Sequence, residues 1–485
     1  MSKIVILGAG IAGYTAASHL RRKLGKEHEV LVVSPNSNYQ WVPSNIWVGV
    51  GRMKPKEVIF PLAPLYKKKG IGYKQAKAVS FHPEGDMQEN APYVIAEYVV
   101  GENKGKQEKI TYDYLINATG PRLAFDQTEG LNPGENNMYS VCTYGHAEHA
   151  AQGLKELEEK LKNSDKKLKI LIGTGHPKAT CQGAAFEYIL NVENELRRKG
   201  LRDKAEITWI SNEYDLGDFG MDGMLLSYKG LRMKSSEMVE MVFEDRGIRW
   251  ILKAGVTKVE PGKVYYETLD GEYKVEEYDF GMLIPAFAGH PFKAYDKNGE
   301  DITPKLFRGF MVVDADYSEK SYEKWTVQDW PETYQNPHYQ NIYAPGIAFP
   351  PPHSISKPRT SKNGTPIFPA PPRTGMPSGI TAKLVADNII DEIKGIKSSI
   401  HKGSMGNMGA ACIASAGFGL TKGSAVSITT FPIVPDYEKY SKTGGRDIRK
   451  TFGEIGLAGH WVKYALHIGF LWKAKMKPFW WLIPE

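Results

Sequence analysis

The chain has 485 residues, room for two or three domains, and the composition of a globular α/β protein. Its net charge of +7 is modest. The late basic excess (Arg446, Arg449, Lys450, Lys463, Lys473, Lys475, Lys477) is interleaved with Trp, Phe and Leu, which suits an anionic membrane surface better than nucleic acid. Three cysteines exclude a disulfide scaffold, and no His/Cys cluster has metal-ligand spacing, so no metal is expected. No apolar run reaches the ~20 residues of a membrane-spanning helix, and no signal peptide is visible. These features predict a protein that is soluble or lies on a membrane, with the cytoplasmic side favoured.

Lys3–Leu7 reads as a short apolar strand, followed by Gly8-Ala9-Gly10-Ile11-Ala12-Gly13 and a helix to about Leu24. A GxGxxG in this βα context holds a dinucleotide: Gly8, Gly10 and Gly13 permit the turn, the approach of pyrophosphate and close helix packing. The next strand, Glu29–Val33, ends in Ser34 instead of an acid, leaving a hydroxyl for the ribose. Asn38–Gly51 is an aromatic, glycine-rich loop containing Pro43 and Ser44. Ile110–Gly120 is a strand that ends in Ala118-Thr119-Gly120.

A second α/β unit begins near Tyr139 with a helical stretch over Tyr144–Lys162 and a buried strand, Ile170-Leu171-Ile172. Gly173 and Gly175 follow, but a third glycine does not; His176, Pro177 and Lys178 stand there, and Cys181 opens a helix over Gln182–Gly200. The positive end of a helix lowers a thiol's pKa, which makes Cys181 a candidate nucleophile where a nicotinamide cofactor would otherwise dock. Strands are expected at Ala205–Ser211, near Trp250 and Val264, at Phe280–Gly289, at Met311–Asp314 and at Gln340–Gly346. Prolines between 350 and 377 are too dense for regular structure, and a helix over Gly379–Lys394 follows.

The last segment carries Ala411-Cys412-Ile413-Ala414 and ends in an aromatic helix, Leu457–Lys477, and Phe479-Trp480-Trp481-Leu482. Trp461, Tyr464, Ala465, Ile468, Leu471 and Trp472 share one face of it. Tryptophans with interleaved lysines favour an interfacial anchor through Trp461, Trp472, Trp480 and Trp481; the same stripe also suits a helix packed on the core.

The segments Tyr139–Thr143 with His146, Ala179–Tyr188 and Ala411–Ala414 resemble the three active-site cysteine segments of sulfide:quinone oxidoreductases. The segments Gln40–Gly51, Tyr112–Gly120, Phe280–Gly289, Ile342–Ala348 and Pro372–Gly375 are similar to the family's too, so the resemblance covers almost the whole chain. It implies an α/β fold with two Rossmann-like dinucleotide-binding domains, of the disulfide reductase-like type, and a C-terminal membrane-associating segment. The expected division is 1–125 plus 281–400 for FAD, 126–280 for the sulfur site and 401–485 for membrane and quinone. Expected FAD contacts are Gly8, Gly10, Gly13, Ser34, Pro43, Ser44, Ala78, Thr119, Gly120, Gly346, Arg373, Thr374 and Gly375.

The resemblance implies that Cys181 and Cys412 form a bridge that hydrosulfide opens, that Cys142 assists, and that electrons pass through FAD to a membrane quinone. Glu187 is a candidate proton acceptor, and His146, four residues after Cys142, a candidate functional neighbour of that cysteine; a solvated carboxylate and a surface histidine are the plainer readings. Sulfide and polysulfide, the membrane quinone pool and a second copy of the chain are the expected partners, with no nucleic acid. The alternatives are a flavocytochrome c-type sulfide dehydrogenase flavin subunit and a non-catalytic flavin-binding sulfur carrier. A type II NADH dehydrogenase would need the missing third glycine.

Overall fold

The computed structural model describes residues 1–396, 400–417 and 419–485. Its first sheet has five parallel strands in the order Ile342–Tyr343, Tyr114–Asn117, Lys3–Leu7, Glu29–Val33, Gly72–Lys74. Strand order reverses beside Lys3–Leu7, which places the glycine turn at the switch point of a doubly wound sheet. The apolar runs KIVIL and EVLVV are buried on both faces, as strands between two helix layers must be. The first helix, Ile11–Lys23, packs against a helix over Gly375–Ile393, which starts four residues before the expected Gly379.

A second parallel sheet runs Met138–Tyr139, Phe280–Ile284, Leu168–Thr174, Ala205–Ile210, Ile248–Ile251. The return strand Phe280–Ile284 pairs along Ile170–Thr174 and so belongs to this sheet. The expected strand over 110–120 is two: Gln107–Thr111 joins an antiparallel sheet, and Tyr114–Asn117 joins the parallel one. Met311–Asp314 does not extend the first sheet; Phe310–Met311 makes only a two-residue hairpin with Phe307–Arg308.

The C-terminal segment contributes Ala410–Ala416, Ser424–Thr430 and Phe452–Gly456 to a mixed sheet with Leu225–Tyr228 and Leu231–Lys234 of the second unit. The proline-dense stretch forms no helix or strand up to Thr374, with one isolated bridge between Thr360 and Pro366, but its last three residues, expected to be irregular, open the helix at Gly375. Its backbone bonds run along the second glycine turn, Phe368 N–H to the Pro177 carbonyl at 3.1 Å and Ala370 N–H to Ala179 at 3.3 Å. The aromatic loop folds into a short helix, Asn45–Gly49, that is wholly buried.

The C-terminal helix, Leu457–Ala474, turns its polar side inward, and Leu471 of the expected apolar stripe turns inward with it. It buries His460, Lys463 and His467, and it exposes Trp461, Val462, Ile468 and Trp472. Trp480, expected on the membrane side, is instead buried with its ring edge-on to His19. Among the described residues no helix is long and apolar enough to cross a membrane.

Candidate functional site

Two glycine turns define the two halves of the site. At the first, a Cβ on Gly8 or Gly13 would collide with backbone carbonyls, of Ala118 and of Gly8 itself, whereas one on Gly10 would meet nothing within 4 Å. Gly8 has φ +98°. That combination is a tight turn with open space in front, and the helix behind Gly10 has no side-chain cap and no acid in its first turn. Its free N–H groups fit a pyrophosphate.

The helix beginning at Gly375 starts against this one: a Cβ on Gly375 would lie 2.8 Å from Ile11 Cδ1, and its cap Thr374 makes no side-chain bond. Gly346 N–H donates to Thr381 Oγ1 at 2.9 Å, and a Cβ on Gly346 would sit 3.0 Å from that of Ala12. Thr119 donates to Asn117 at 2.8 Å, and Gly120 turns at φ +65°. Gly8, Gly10, Gly13, Thr119, Gly120, Gly346, Thr374 and Gly375 therefore line one cradle, and their geometry fits a dinucleotide such as FAD.

Four other expected cofactor residues are Ser34, Pro43, Ser44 and Ala78; Ser34 follows Val33, whose carbonyl accepts from Gly8 N–H at 2.8 Å. Ser34 is buried at the end of its strand and accepts from Asn36 N–H at 3.3 Å. Ser44 is engaged by the C-terminal helix, its hydroxyl 2.8 Å from His467 Nδ1, with Pro43 beside it in a 3-10 turn. Ala78 sits in the antiparallel strand Ala76–His82.

At the second turn the proline segment lies along the residues that follow Gly175. A Cβ on Gly173 would strike the Ile210 backbone, so this glycine serves strand packing. Pro177 and Ala179 are paired to the proline segment as described, and Asn212 Nδ2 donates to both their carbonyls at 3.0 Å. Glu213, just past the strand end where a ribose acid would stand, is buried; it accepts from Ser211 Oγ and from Phe219 N–H, each at 2.8 Å. Burial and the neighbouring Asp218 push its carboxyl up to about 8.

Cys181 caps the helix Gln182–Arg198 in a left-handed conformation, φ +65° and ψ 35°. Such a backbone costs a non-glycine residue about 1–2 kcal/mol, and strain of this kind clusters at functional sites. Its thiol donates to the Arg373 carbonyl at 3.6 Å, and Thr180 Oγ1 donates to the Pro371 carbonyl at 3.0 Å. Cys412 arrives from the strand Ala410–Ala416, its sulfur 2.8 Å from where a Cβ on Gly183 would be. Cys181 lies close enough to raise the pKa of both Cys142 and Cys412. The structure thus gathers all three cysteines, as free half-buried thiols, at the start of one helix.

The expected lowering of the Cys181 pKa does not hold. Burial outweighs the Arg373 charge and its hydrogen bonds and pushes the thiol up. Burial likewise raises Cys142 and Cys412, each to about 11, with Glu187 adding to the rise of Cys412. Arg373 itself is held by the Ile347 and Phe349 carbonyls at 2.9 and 3.1 Å, its guanidinium 4.4 Å from the Phe310 ring centre.

Glu187 is buried, not a solvated surface carboxylate. Burial raises its pKa, opposed by Lys463, whose ammonium lies 2.8 Å from Oε2, and by Ser415 N–H at 3.2 Å from Oε1. His146 stands in the first turn of the helix Tyr144–Asn163 with its backbone N–H capped by Thr143 Oγ1; Cys142 precedes that helix. Its ring packs edge-on to Phe125 at 5.8 Å, and burial lowers its pKa. Among the described residues no cluster of three or more His, Cys, Asp or Glu could hold a metal.

Lys463, Ser415 and His460 are the residues that sequence reasoning passed over. Ser415 Oγ lies 2.5 Å from His460 Nδ1, which extends the polar group around Glu187 onto the C-terminal helix. The only signal was the spacing of His460, Lys463 and His467 along one face of an otherwise aromatic helix.

Two doubly wound sheets, a dinucleotide cradle on the first and apposed thiols on the second define a disulfide reductase-like oxidoreductase. Residues 2–176 match the pyridine nucleotide-disulphide oxidoreductase family. The sulfide-quinone reductase of Aquifex aeolicus is 30% identical over 474 residues, 97% of this chain and 91% of that protein. The mitochondrial sulfide:quinone oxidoreductase of Dictyostelium discoideum is 26% identical over 319 residues, 65% of this chain and 61% of that protein. The crystal structure of the sulfide:quinone oxidoreductase from Aquifex aeolicus superposes with a TM-score of 0.73 at 28% identity, covering 98% of this chain and 92% of that one. The chain belongs to the sulfide:quinone oxidoreductase family.

Proposed function

We propose that this protein oxidises sulfide to zero-valent sulfur or polysulfide and delivers the electrons to a membrane quinone. The observation that carries this reading is the meeting of Cys181 and Cys412 at a second glycine turn along which the proline segment lies.

In the oxidised protein Cys181 and Cys412 form a disulfide. Hydrosulfide opens it by exchange, leaving a persulfide on one cysteine and a thiolate on the other. Closing the pair around the added sulfur joins thiolate to persulfide as a trisulfide and releases one proton and two electrons. Glu187, in its ionised form beside Cys412, takes the proton. The Cys142 thiolate, beside Cys181, attacks the middle sulfur and displaces the Cys181 thiolate, which closes on the Cys412 sulfur to restore the disulfide and leaves the added sulfur as a persulfide on Cys142. The Gly8–Gly13 turn would hold FAD, which would supply the two-electron acceptor between this pair and the quinone.

The exposed face of the C-terminal helix seats the protein on the membrane as a monotopic enzyme. Trp461 and Trp472 satisfy their indole N–H groups internally, on the Leu420 and Pro478 carbonyls at 2.7 and 3.0 Å, so their rings enter an apolar phase without a bare donor. Quinone reaches the site from the bilayer beneath these elements.

In the test, purified protein carrying FAD is mixed anaerobically with micromolar sulfide, then with decyl-ubiquinone. Sulfide is expected to bleach the flavin and quinone to restore it. Bleaching by NADH without bleaching by sulfide would overturn the reading.

A further inference from the structure

The C-terminal helix has its charges on the wrong side for a helix packed on a protein. Lys463 is buried, and its ammonium reaches past the strand that carries Cys412, bonding the Ile413 carbonyl at 3.3 Å and Glu187 at 2.8 Å. Burying a lysine is costly unless a paired, hydrogen-bonded anion receives it. Here both conditions are met by one carboxylate.

The groups facing Glu187 can be named element by element. The helix Leu457–Ala474 presents Lys463, with His460 reached through Ser415 Oγ and His467 one turn further on. The strand Ala410–Ala416 presents Cys412 and the Ser415 N–H. On its own helix, Asn191 bonds the Glu187 backbone carbonyl at 2.9 Å and leaves the carboxylate to Lys463. Lys463 is thus the one basic side chain among these groups that bonds the carboxylate directly.

We propose that Lys463 is a positioning residue of the sulfur site: it keeps Glu187 ionised and fixed beside Cys412, so that the carboxylate can accept the proton released when the cysteine pair closes around sulfur. The inference deepens the sulfide-oxidising reading and rests on it. The charge comes from the helix whose outer face carries Trp461, Val462, Ile468 and Trp472, so the membrane-facing element also sets the proton chemistry. Burial pushes the Glu187 carboxyl up, and the Lys463 charge in contact with it opposes that rise and favours the ionised form.

The test compares the FAD-loaded protein with Lys463→Gln, which keeps a hydrogen bond to the carboxylate, with Lys463→Met as a second neutral variant, and with Lys463→Arg and Glu187→Gln. Two readouts are taken across pH: the rate of flavin bleaching by sulfide, and the infrared carbonyl band of protonated Glu187, assigned by its loss in Glu187→Gln. Loss of the charge is expected to move the acid limb of the rate profile and the midpoint of the infrared band upward together, by roughly one to three pH units. Arginine should hold both near their original positions, and Glu187→Gln should lack the acid limb. Neutral variants with an unmoved midpoint would overturn the proposal, even with lowered thermal stability. Failure of the wild-type protein to bleach with sulfide would instead overturn the sulfide reading, and the infrared titration would still decide whether Lys463 controls Glu187.

Discussion

The Cys412 sulfur lies 2.8 Å from the point that a Cβ on Gly183 would occupy. The helix that Cys181 caps therefore presents a bare backbone to the second cysteine, and the absent side chain sets how near the two thiols come. A methyl group at this position must displace the sulfur. Gly183→Ala is expected to slow sulfide-driven flavin bleaching by about a hundredfold, the scale of a reacting atom misplaced by about 1 Å. FAD content should be unchanged; stopped-flow absorbance and the bound-flavin ratio check both halves.

Cys181 occupies a left-handed backbone that glycine would hold without strain. Cys181→Gly and Cys181→Ser should both abolish bleaching by sulfide, but the glycine variant should be the more stable of the two by about 1 kcal/mol. Scanning calorimetry of the two variants side by side measures the difference. Equal stability would mean that the turn is not strained.

Arg373 opposes the burial that raises the Cys181 pKa. Arg373→Met should push the thiol higher still and slow its alkylation at neutral pH, about tenfold if the pKa climbs by one. Arg373→Lys should recover much of the rate. Mass spectrometry of reduced, iodoacetamide-treated protein resolves Cys181 from Cys412, which has Lys463 and Glu187 as its charged neighbours and should change less.

The tryptophans divide into two groups. Trp461 and Trp472 are close to half exposed and Trp481 is exposed, whereas Trp480 is buried against His19. A triple Trp461, Trp472, Trp481→Ser variant should keep its melting temperature and lose sedimentation with vesicles containing anionic lipid. Trp480→Ala should keep vesicle binding and lose about 3–5 kcal/mol of stability.

Glu213 is held protonated by burial, up to about pH 8. A carboxyl whose folded pKa is raised stabilises the fold below its unfolded pKa, near 4.3, and this contribution is lost as pH rises through the folded value. Thermal midpoints of the wild type should therefore fall between pH 5 and pH 8 relative to those of Glu213→Gln. A constant gap between the two curves would place the ionised form in the folded protein.

What was legible in the sequence was local. The first glycine turn announces itself because its three glycines and the flanking strand and helix are contiguous, and the missing third glycine after Gly173 is equally local. The meeting of the cysteines was not local, and it came from a family resemblance, with no spacing rule behind it. Lys463 and Glu187 lie 276 residues apart, and a lysine among tryptophans reads as a surface charge until the fold puts it inside. Trp480 was misplaced for the converse reason: an aromatic cluster near a chain's end gives no sign of which ring turns inward. The Cys181 pKa was misjudged because the helix terminus is visible in sequence and the depth of burial is not.

The inside-out C-terminal helix ties two properties that engineers usually treat as separable. Trimming this tail to obtain a detergent-free preparation would strip away hydrophobic surface and, in the same cut, delete the ammonium beneath Glu187. The same cut would remove Trp480 and Glu485 from their places against His19 and Thr15 on the helix that follows the Gly8 turn, so the loss would reach the dinucleotide unit as well.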